Sequence, residues 1–164
     1  MEIEPPINRI LFVCMGNICR SPLAEGVFRH LLRQRGLEDK YAVDSAGTGG
    51  WHAGEPADQR MQATAARYGV ALESRARQIS KTDFDQFDLI LCADAENREN
   101  VLRLGGSPER VRLLLEFDSQ APVREVPDPY YGGQDGFDQV YELVRQACEG
   151  LLDRLESADR REAS

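Results

Sequence analysis

Apolar residues along this chain fall into two alternating patterns: short runs of strand length, and stripes at helical spacing. Ile10 to Val13 is an apolar run that ends at Cys14. After a glycine-containing turn, Leu23, Val27, Phe28, Leu31 and Leu32 recur with the period of a helix face. The prediction is strand, loop, helix, with Pro22 in the first helical turn, where its missing N–H is not needed, and Gly36 at the exit. A second strand follows over Tyr41 to Ser45, then a glycine-rich loop from Ala46 to Gly54 and a helix over about Ala57 to Tyr68 that stops at Gly69. Leu89 to Cys92 reads as strand, Asp94 to Leu104 as a helix closed by Gly105 and Gly106, and Val111 to Leu115 as strand. A last helix starts near Gln134 and carries Phe137, Val140, Tyr141, Val144, Cys148, Leu151, Leu152 and Leu155 on one stripe. Residues 157 to 164 read as a frayed, flexible tail, leaving a core of about 8 to 156.

Strands alternating with helices of this length predict an α/β fold, a parallel sheet with helices on both faces. At 164 residues the chain fits a single domain, 1 to 164, with enough length to bury a real core. Ligands of such sheets sit beyond the carboxyl ends of the strands, where Cys14, the loop from Ser45 to Gly54 and the loop after Leu115 all fall.

Composition narrows the function classes. Apolar residues make up 41% of the chain, in clusters far shorter than the roughly 20 residues that span a bilayer. The first residues, Met-Glu-Ile-Glu-Pro-Pro, are acidic and lead straight into a strand, the wrong sign and order for a secretory signal, so a cytoplasmic location is expected. Net charge is −8; residues 81 to 164 hold 10 basic and 19 acidic groups, which accounts for the excess. That balance argues against nucleic acid as a partner, since such binding draws on clustered Lys and Arg. Neither a membrane nor a nucleic acid is expected as partner, and a monomer is the expected state. The four cysteines, at 14, 19, 92 and 148, lack the paired spacing of zinc sites, and His30 and His52 add no ligand pattern. No metal and no cofactor is expected, and both histidines read as surface groups. In a reducing compartment the cysteines are thiols, and a disulfide between Cys14 and Cys19 would be transient.

Candidate chemistry concentrates in Cys14-Met15-Gly16-Asn17-Ile18-Cys19-Arg20-Ser21. A loop leaving a parallel strand and entering a helix turns backbone N–H groups of Met15 to Arg20 toward one point, and the helix end adds about half a positive charge there. An anion belongs in that cup. Gly16 permits backbone conformations closed to other residues, and the Asn17 amide can tie the loop together. Cys14 at the mouth stands where positive potential favours the thiolate, the nucleophilic form. Arg20 offers a planar fork of donors that matches two phosphoryl oxygens. Thiolate attack on a phosphate monoester forms a phosphocysteine, and the departing oxygen then needs a proton. Asp128, in Val126-Pro127-Asp128-Pro129-Tyr130-Tyr131, is the candidate general acid, held on a backbone stiffened by two prolines. Ser21 can donate a hydrogen bond to the Cys14 sulfur and help it leave.

The octet at the end of the first strand, together with Asp128-Pro-Tyr-Tyr131, resembles the low-molecular-weight protein tyrosine phosphatases. Further similarity runs through Asp44 to Thr48, Trp51-His52, Arg75 to Ile79 and Phe87 to Leu91, over roughly residues 8 to 155. The resemblance implies a four-stranded parallel sheet with the phosphate-binding loop after the first strand, Cys14 as nucleophile, Arg20 as phosphate clamp and Asp128 as general acid and base. It assigns Asn17, Ser21 and Ser45 to loop support, and Ile18, Trp51, Tyr130 and Tyr131 to the slot for the substrate ring, so the implied partner is a phosphotyrosine-containing protein. A branch acting on phosphoarginine carries Thr at the position of Ile18. Ser74 departs from the pattern, standing where some members have a histidine that supports the loop asparagine, and Cys92 departs where many bacterial members read Ala-Met-Asp.

Taken without the resemblance, several of these residues have plainer readings. Trp51 serves equally as a substrate wall or a cap on the core, and Tyr130 and Tyr131 can pack their own loop. Cys19 is either a resolving thiol that captures oxidised Cys14 or a small buried apolar residue; Cys92 and Cys148 read as core. Two rival functions are testable: an arsenate reductase would need a close relay pair, which Cys92 and Cys148 do not form in sequence, and a non-catalytic phosphotyrosine-binding module would be expected to lack Cys14, Arg20 or Asp128.

Overall fold

Four short apolar runs become the strands β1 (Arg9–Cys14), β2 (Ala42–Gly47), β3 (Leu89–Cys92) and β4 (Val111–Leu113) of one sheet, in a computed structural model that describes residues 6–129 and 133–163. The sheet is entirely parallel in the order β2-β1-β3-β4. The helices are α1 (Arg20–Gln34), α2 (Gln59–Arg67), α3 (Asp83–Gln86), α4 (Ala95–Leu104) and α5 (Gln134–Ala163). Alternation along β1 divides the core. Ile10, Phe12 and Cys14 face one side with the buried stripes of α1 and α5, while Leu11 and Val13 face the other with Ile90, Cys92 and Val101 of α4. Both faces are covered, as a parallel sheet requires.

Several predicted boundaries shift by a residue or two, and at three places the contacts show the physical reason. The fourth strand stops at Leu113 because its one neighbour, β3, ends in register there at Cys92. Leu114 and Leu115 turn instead into a 3-10 helix (Leu114–Phe117) that buries them in the core shared with α1 and α5. Helix α2 begins at Gln59 because the Asp58 carboxylate caps the N–H groups of Arg60 and Met61. Helix α5 runs through Ala163, past the residue 156 at which the core was expected to end: Leu155 and Ala158 continue the buried stripe, and Lys40 bridges Glu156 and Asp159 at 2.8 and 2.7 Å. Among the described residues no helix is long and apolar enough to cross a membrane.

The order β2-β1-β3 makes the carboxyl ends of β1 and β3 the place where successive connections part to opposite sides, and a crevice opens there. Cys14 ends β1, and Ala93 and Asp94 follow β3 beside it. Beyond the end of β2, the strap Arg75–Ile79 is sewn on by Gly47 N–H to Arg77 O and Ile79 N–H to Gly47 O, both 2.8 Å.

Candidate active site

The loop from Cys14 to Arg20 owes its shape to partners outside it. The carbonyls of Cys14, Met15 and Ile18 accept from the N–H groups of Thr48, Gly49 and Asp58 at 2.9, 2.9 and 2.8 Å. With those carbonyls held outward, the loop's amides are left for its inner side. Gly47 makes the approach possible, since a Cβ there would stand 2.8 Å from the Met15 carbonyl oxygen. Asn17 is the single non-glycine residue with positive φ among the described residues, at 57°, and its amide explains why it is tolerated. Nδ2 donates to Ser21 Oγ at 2.8 Å and to Ser45 Oγ at 3.0 Å, while Oδ1 accepts from the Arg77 N–H at 3.0 Å. Ser74, noted above for departing from the resemblance, makes none of these three bonds.

Inside the loop, the Cys14 sulfur accepts from the Asn17 N–H at 3.3 Å and lies 3.0 Å from Ser21 Oγ. Arg20, 4% exposed, sends Nη1 to Asp94 Oδ2 at 2.8 Å and to the Val126 carbonyl at 3.0 Å, with Nη2 3.9 Å from Asp128 Oδ2. Burial opposes the charge on Arg20, but Cys14, Asp94 and Asp128 outweigh it and hold the guanidinium above its ordinary range. Cys14, Met15, Gly16, Ile18, Cys19, Arg20, His52 and Asp128 line one cavity of about 160 Å³. Such a cavity takes a small anion at its base, beside a sulfur, a guanidinium and a carboxyl group.

A family model described as low molecular weight phosphotyrosine protein phosphatase matches residues 9–161. The chain belongs to this family. It is accordingly an enzyme, a hydrolase of phosphate monoesters. It is 46% identical over 149 residues to a low molecular weight protein-tyrosine-phosphatase of Streptomyces coelicolor, covering 88% of this chain and 91% of that one. Against the human low molecular weight phosphotyrosine protein phosphatase, identity is 39% over 155 residues, covering 92% and 98%. The crystal structure of a protein tyrosine phosphatase from Entamoeba histolytica, with Hepes in its active site, superposes with a TM-score of 0.89 at 38% identity, covering 93% of this chain and 99% of that one.

Within this phosphatase, Cys14 to Arg20, Ser21, Ser45 and Asp128 come together around the cavity and its loop, although Ser45 and Asp128 are distant in sequence. Trp51 is 72% exposed and lays its ring over Gly49, outside the residues that line the cavity. Tyr130 and Tyr131 lie outside the described residues. Cys19 is buried beside Cys14; burial first, then the charges of Asp58, Cys14 and Asp128, push its thiol up. Cys92 is buried on the opposite face of the sheet from Cys14, and burial raises its thiol too.

Several site residues had escaped the sequence. His52 lines the cavity against Gly16, its Nδ1 bonded to the Glu55 carboxylate, whereas it read as a surface group. Asp94, expected as a helix start, does cap α4 through the Asn97 N–H at 2.8 Å, but its other oxygen holds Arg20. The available signal was its place just after β3, at the carboxyl edge of the sheet. Glu25, buried on α1, gave none, and Arg77 lay in the matching stretch Arg75 to Ile79 with no role assigned to it.

Proposed function

We propose that this enzyme hydrolyses phosphotyrosine on proteins in two steps through a phosphocysteine, with Cys14 as nucleophile, Arg20 as phosphate clamp and Asp128 as acid and base. The observation that carries the reading is the convergence of those three side chains on one small cavity at the end of β1. The backbone amides of Met15 to Arg20 receive the phosphoryl oxygens, and the Arg20 fork follows two of them into the transition state. In the first step the Cys14 sulfur bonds to phosphorus, the bond from phosphorus to the tyrosyl oxygen breaks, and Asp128 gives that oxygen its proton. In the second, water attacks phosphorus, Asp128 takes the water's proton, and the sulfur leaves as a thiolate with a hydrogen bond from Ser21. Inorganic phosphate is released.

Ile18 forms part of the cavity wall, and Trp51, next in the chain to His52 of that wall, is largely exposed, which suits contact with a phenyl ring. The resemblance assigns Tyr130 and Tyr131 to binding the same ring. The partner is a phosphotyrosyl protein rather than a nucleic acid or a membrane, consistent with a net charge of −8, and the setting is a reducing cytoplasm. Under peroxide, Cys14 oxidises to a sulfenic acid, and Cys19 displaces water from it to form a disulfide that thiols reopen.

The test is hydrolysis of phosphotyrosyl, phosphoseryl and phosphoarginyl peptides without added metal. Phosphotyrosine is turned over, Cys14→Ser abolishes turnover, and Asp128→Ala slows esters with poor leaving groups most. Undiminished activity in Cys14→Ser, or preference for phosphoarginine, would sink the assignment. Recovery from peroxide that is equal in wild type and Cys19→Ala would remove the role given to Cys19.

A further inference from the structure

Glu25 is a carboxylate with 7% of its side chain exposed, on the helix that follows the phosphate loop, and it takes no direct part in either step of the reaction. Its Oε1 accepts from Ser45 Oγ at 2.6 Å and its Oε2 from Arg29 Nε at 3.0 Å. Arg29 is itself pinned by a bond to the Val43 carbonyl. A carboxylate paired with a guanidinium has no hydrogen to give, so Ser45 must donate to it. Toward Asn17, Ser45 can then only accept. That requires the Asn17 amide to present Nδ2 to Ser45, the same orientation that the Arg77 N–H imposes from the other side at Oδ1. The second Nδ2 hydrogen goes to Ser21 Oγ at 2.8 Å. Ser21, accepting there, has its own hydrogen free for the Cys14 sulfur at 3.0 Å, the nearer acceptor beside the Ala46 carbonyl at 3.5 Å.

We propose that Glu25 is a positioning residue: through Ser45 and Asn17, its carboxylate sets the polarity of a hydrogen-bond chain that ends with the Ser21 proton aimed at the Cys14 sulfur. This rests on Cys14 being the nucleophile. The chain explains why a buried charge is kept in the first helix: it orients a donor in advance of the reaction, at a point where negative charge returns to sulfur as the phosphocysteine breaks. Glu25→Gln keeps the shape and removes the polarity. The amide has one acceptor for two donors; the charged Arg29 claims it, and an N–H group then faces Ser45, whose hydrogen turns back toward Asn17.

The experiment compares full-length wild type, Glu25→Gln, Ser45→Ala and the double variant, each checked for a cooperative thermal transition. One readout is thiolate absorbance near 240 nm against pH, blanked with Cys14→Ser; the other is kcat and KM on a phosphotyrosyl peptide. The other groups around the sulfur (Arg20, Cys19, His52, Cys92, Asp94 and Asp128) are unchanged in all four proteins, and loss of the Glu25 charge alone would favour the thiolate, so an upward shift reports the Ser21 bond. Glu25→Gln is expected to develop thiolate at higher pH and to lose about tenfold in kcat with KM nearly unchanged, as for one charge-assisted hydrogen bond. The double variant should match Ser45→Ala, because the effect passes through Ser45. A wild-type thiolate profile in Glu25→Gln, or losses that multiply in the double variant, would overturn the chain. Thiolate absorbance needs no turnover, so a protein inactive on phosphotyrosine would defeat the functional assignment while the absorbance still decides the role of Glu25.

Discussion

Replacing Asp94 by Asn removes one charge and no atoms of consequence from a residue that serves two donors. Oδ2 accepts from Arg20 Nη1 at 2.8 Å and Oδ1 from the Asn97 N–H at 2.8 Å, with the Arg20 and Asp94 side chains 5% and 21% exposed. The amide has a single oxygen, so either Arg20 or the start of α4 loses its acceptor. A charge-assisted bond to a buried guanidinium is worth about 2 kcal/mol, and Arg20 keeps the Val126 carbonyl and the more distant Asp128 as partial compensation. For a chain of this size the expected loss is about 4–8 °C in Tm. The functional loss follows from the same bond, because Asp94 fixes the side of the cavity from which the fork meets phosphate; a drop of about 10–100-fold in kcat/KM is expected. Differential scanning calorimetry and steady-state kinetics on a phosphotyrosyl peptide measure the two effects. Asp94→Ala should be about 1 kcal/mol less stable still, having lost the helix cap as well. A Tm within about 1 °C of wild type together with kcat/KM within about twofold would refute the claim that Asp94 holds Arg20 in place.

At Asn17, Ala forfeits three side-chain hydrogen bonds and sits strained at a φ of 57°, whereas Gly forfeits the bonds alone; urea unfolding should place Asn17→Gly about 1 kcal/mol above Asn17→Ala, and an equal or lower stability for Gly would contradict the backbone argument. Gly47→Ala puts a methyl against the Met15 carbonyl, so KM for phosphotyrosine should rise at least tenfold while the sheet core stays folded; unchanged kinetics would show that the loop can yield there. Glu156 is opposed by burial but held below the ordinary carboxylate range by hydrogen bonds from Lys40 and Tyr41. Its stabilisation is therefore complete above the unfolded value of about 4.3 and fades as pH falls through the folded one. Glu156→Gln should be destabilised by up to about 1 kcal/mol at pH 7 and by less below pH 4 in guanidinium titrations, and a gap that widens toward acid would reverse the sign of that reasoning.

Hydrophobic periodicity located the elements because each strand here is a short, mostly buried run and each long helix carries one apolar stripe. It failed at element ends, where a neighbour decides: β4 stops because β3 stops, and α5 continues because Lys40, distant in sequence, reaches Glu156 and Asp159. Short α3 carried too few residues for a period to show.

By itself, the sequence determined the cup. Cys14 to Ser21 is contiguous and sits between a strand end and a helix start, so its residue types and their chemistry are legible in the chain, while its exact shape waits on Thr48, Gly49, Asp58 and Arg77. Tertiary structure alone decided what surrounds it. Asp94 reaches Arg20 because β3 lies beside β1, His52 meets Gly16 because the loop after β2 folds back, and Glu25 addresses Cys14 because its helix packs across the end of β2. Cys92, one strand over, is turned to the opposite face by the alternation of side chains along a strand. Those relations follow from strand order and from which face each residue buries, and both are settled when the whole core packs.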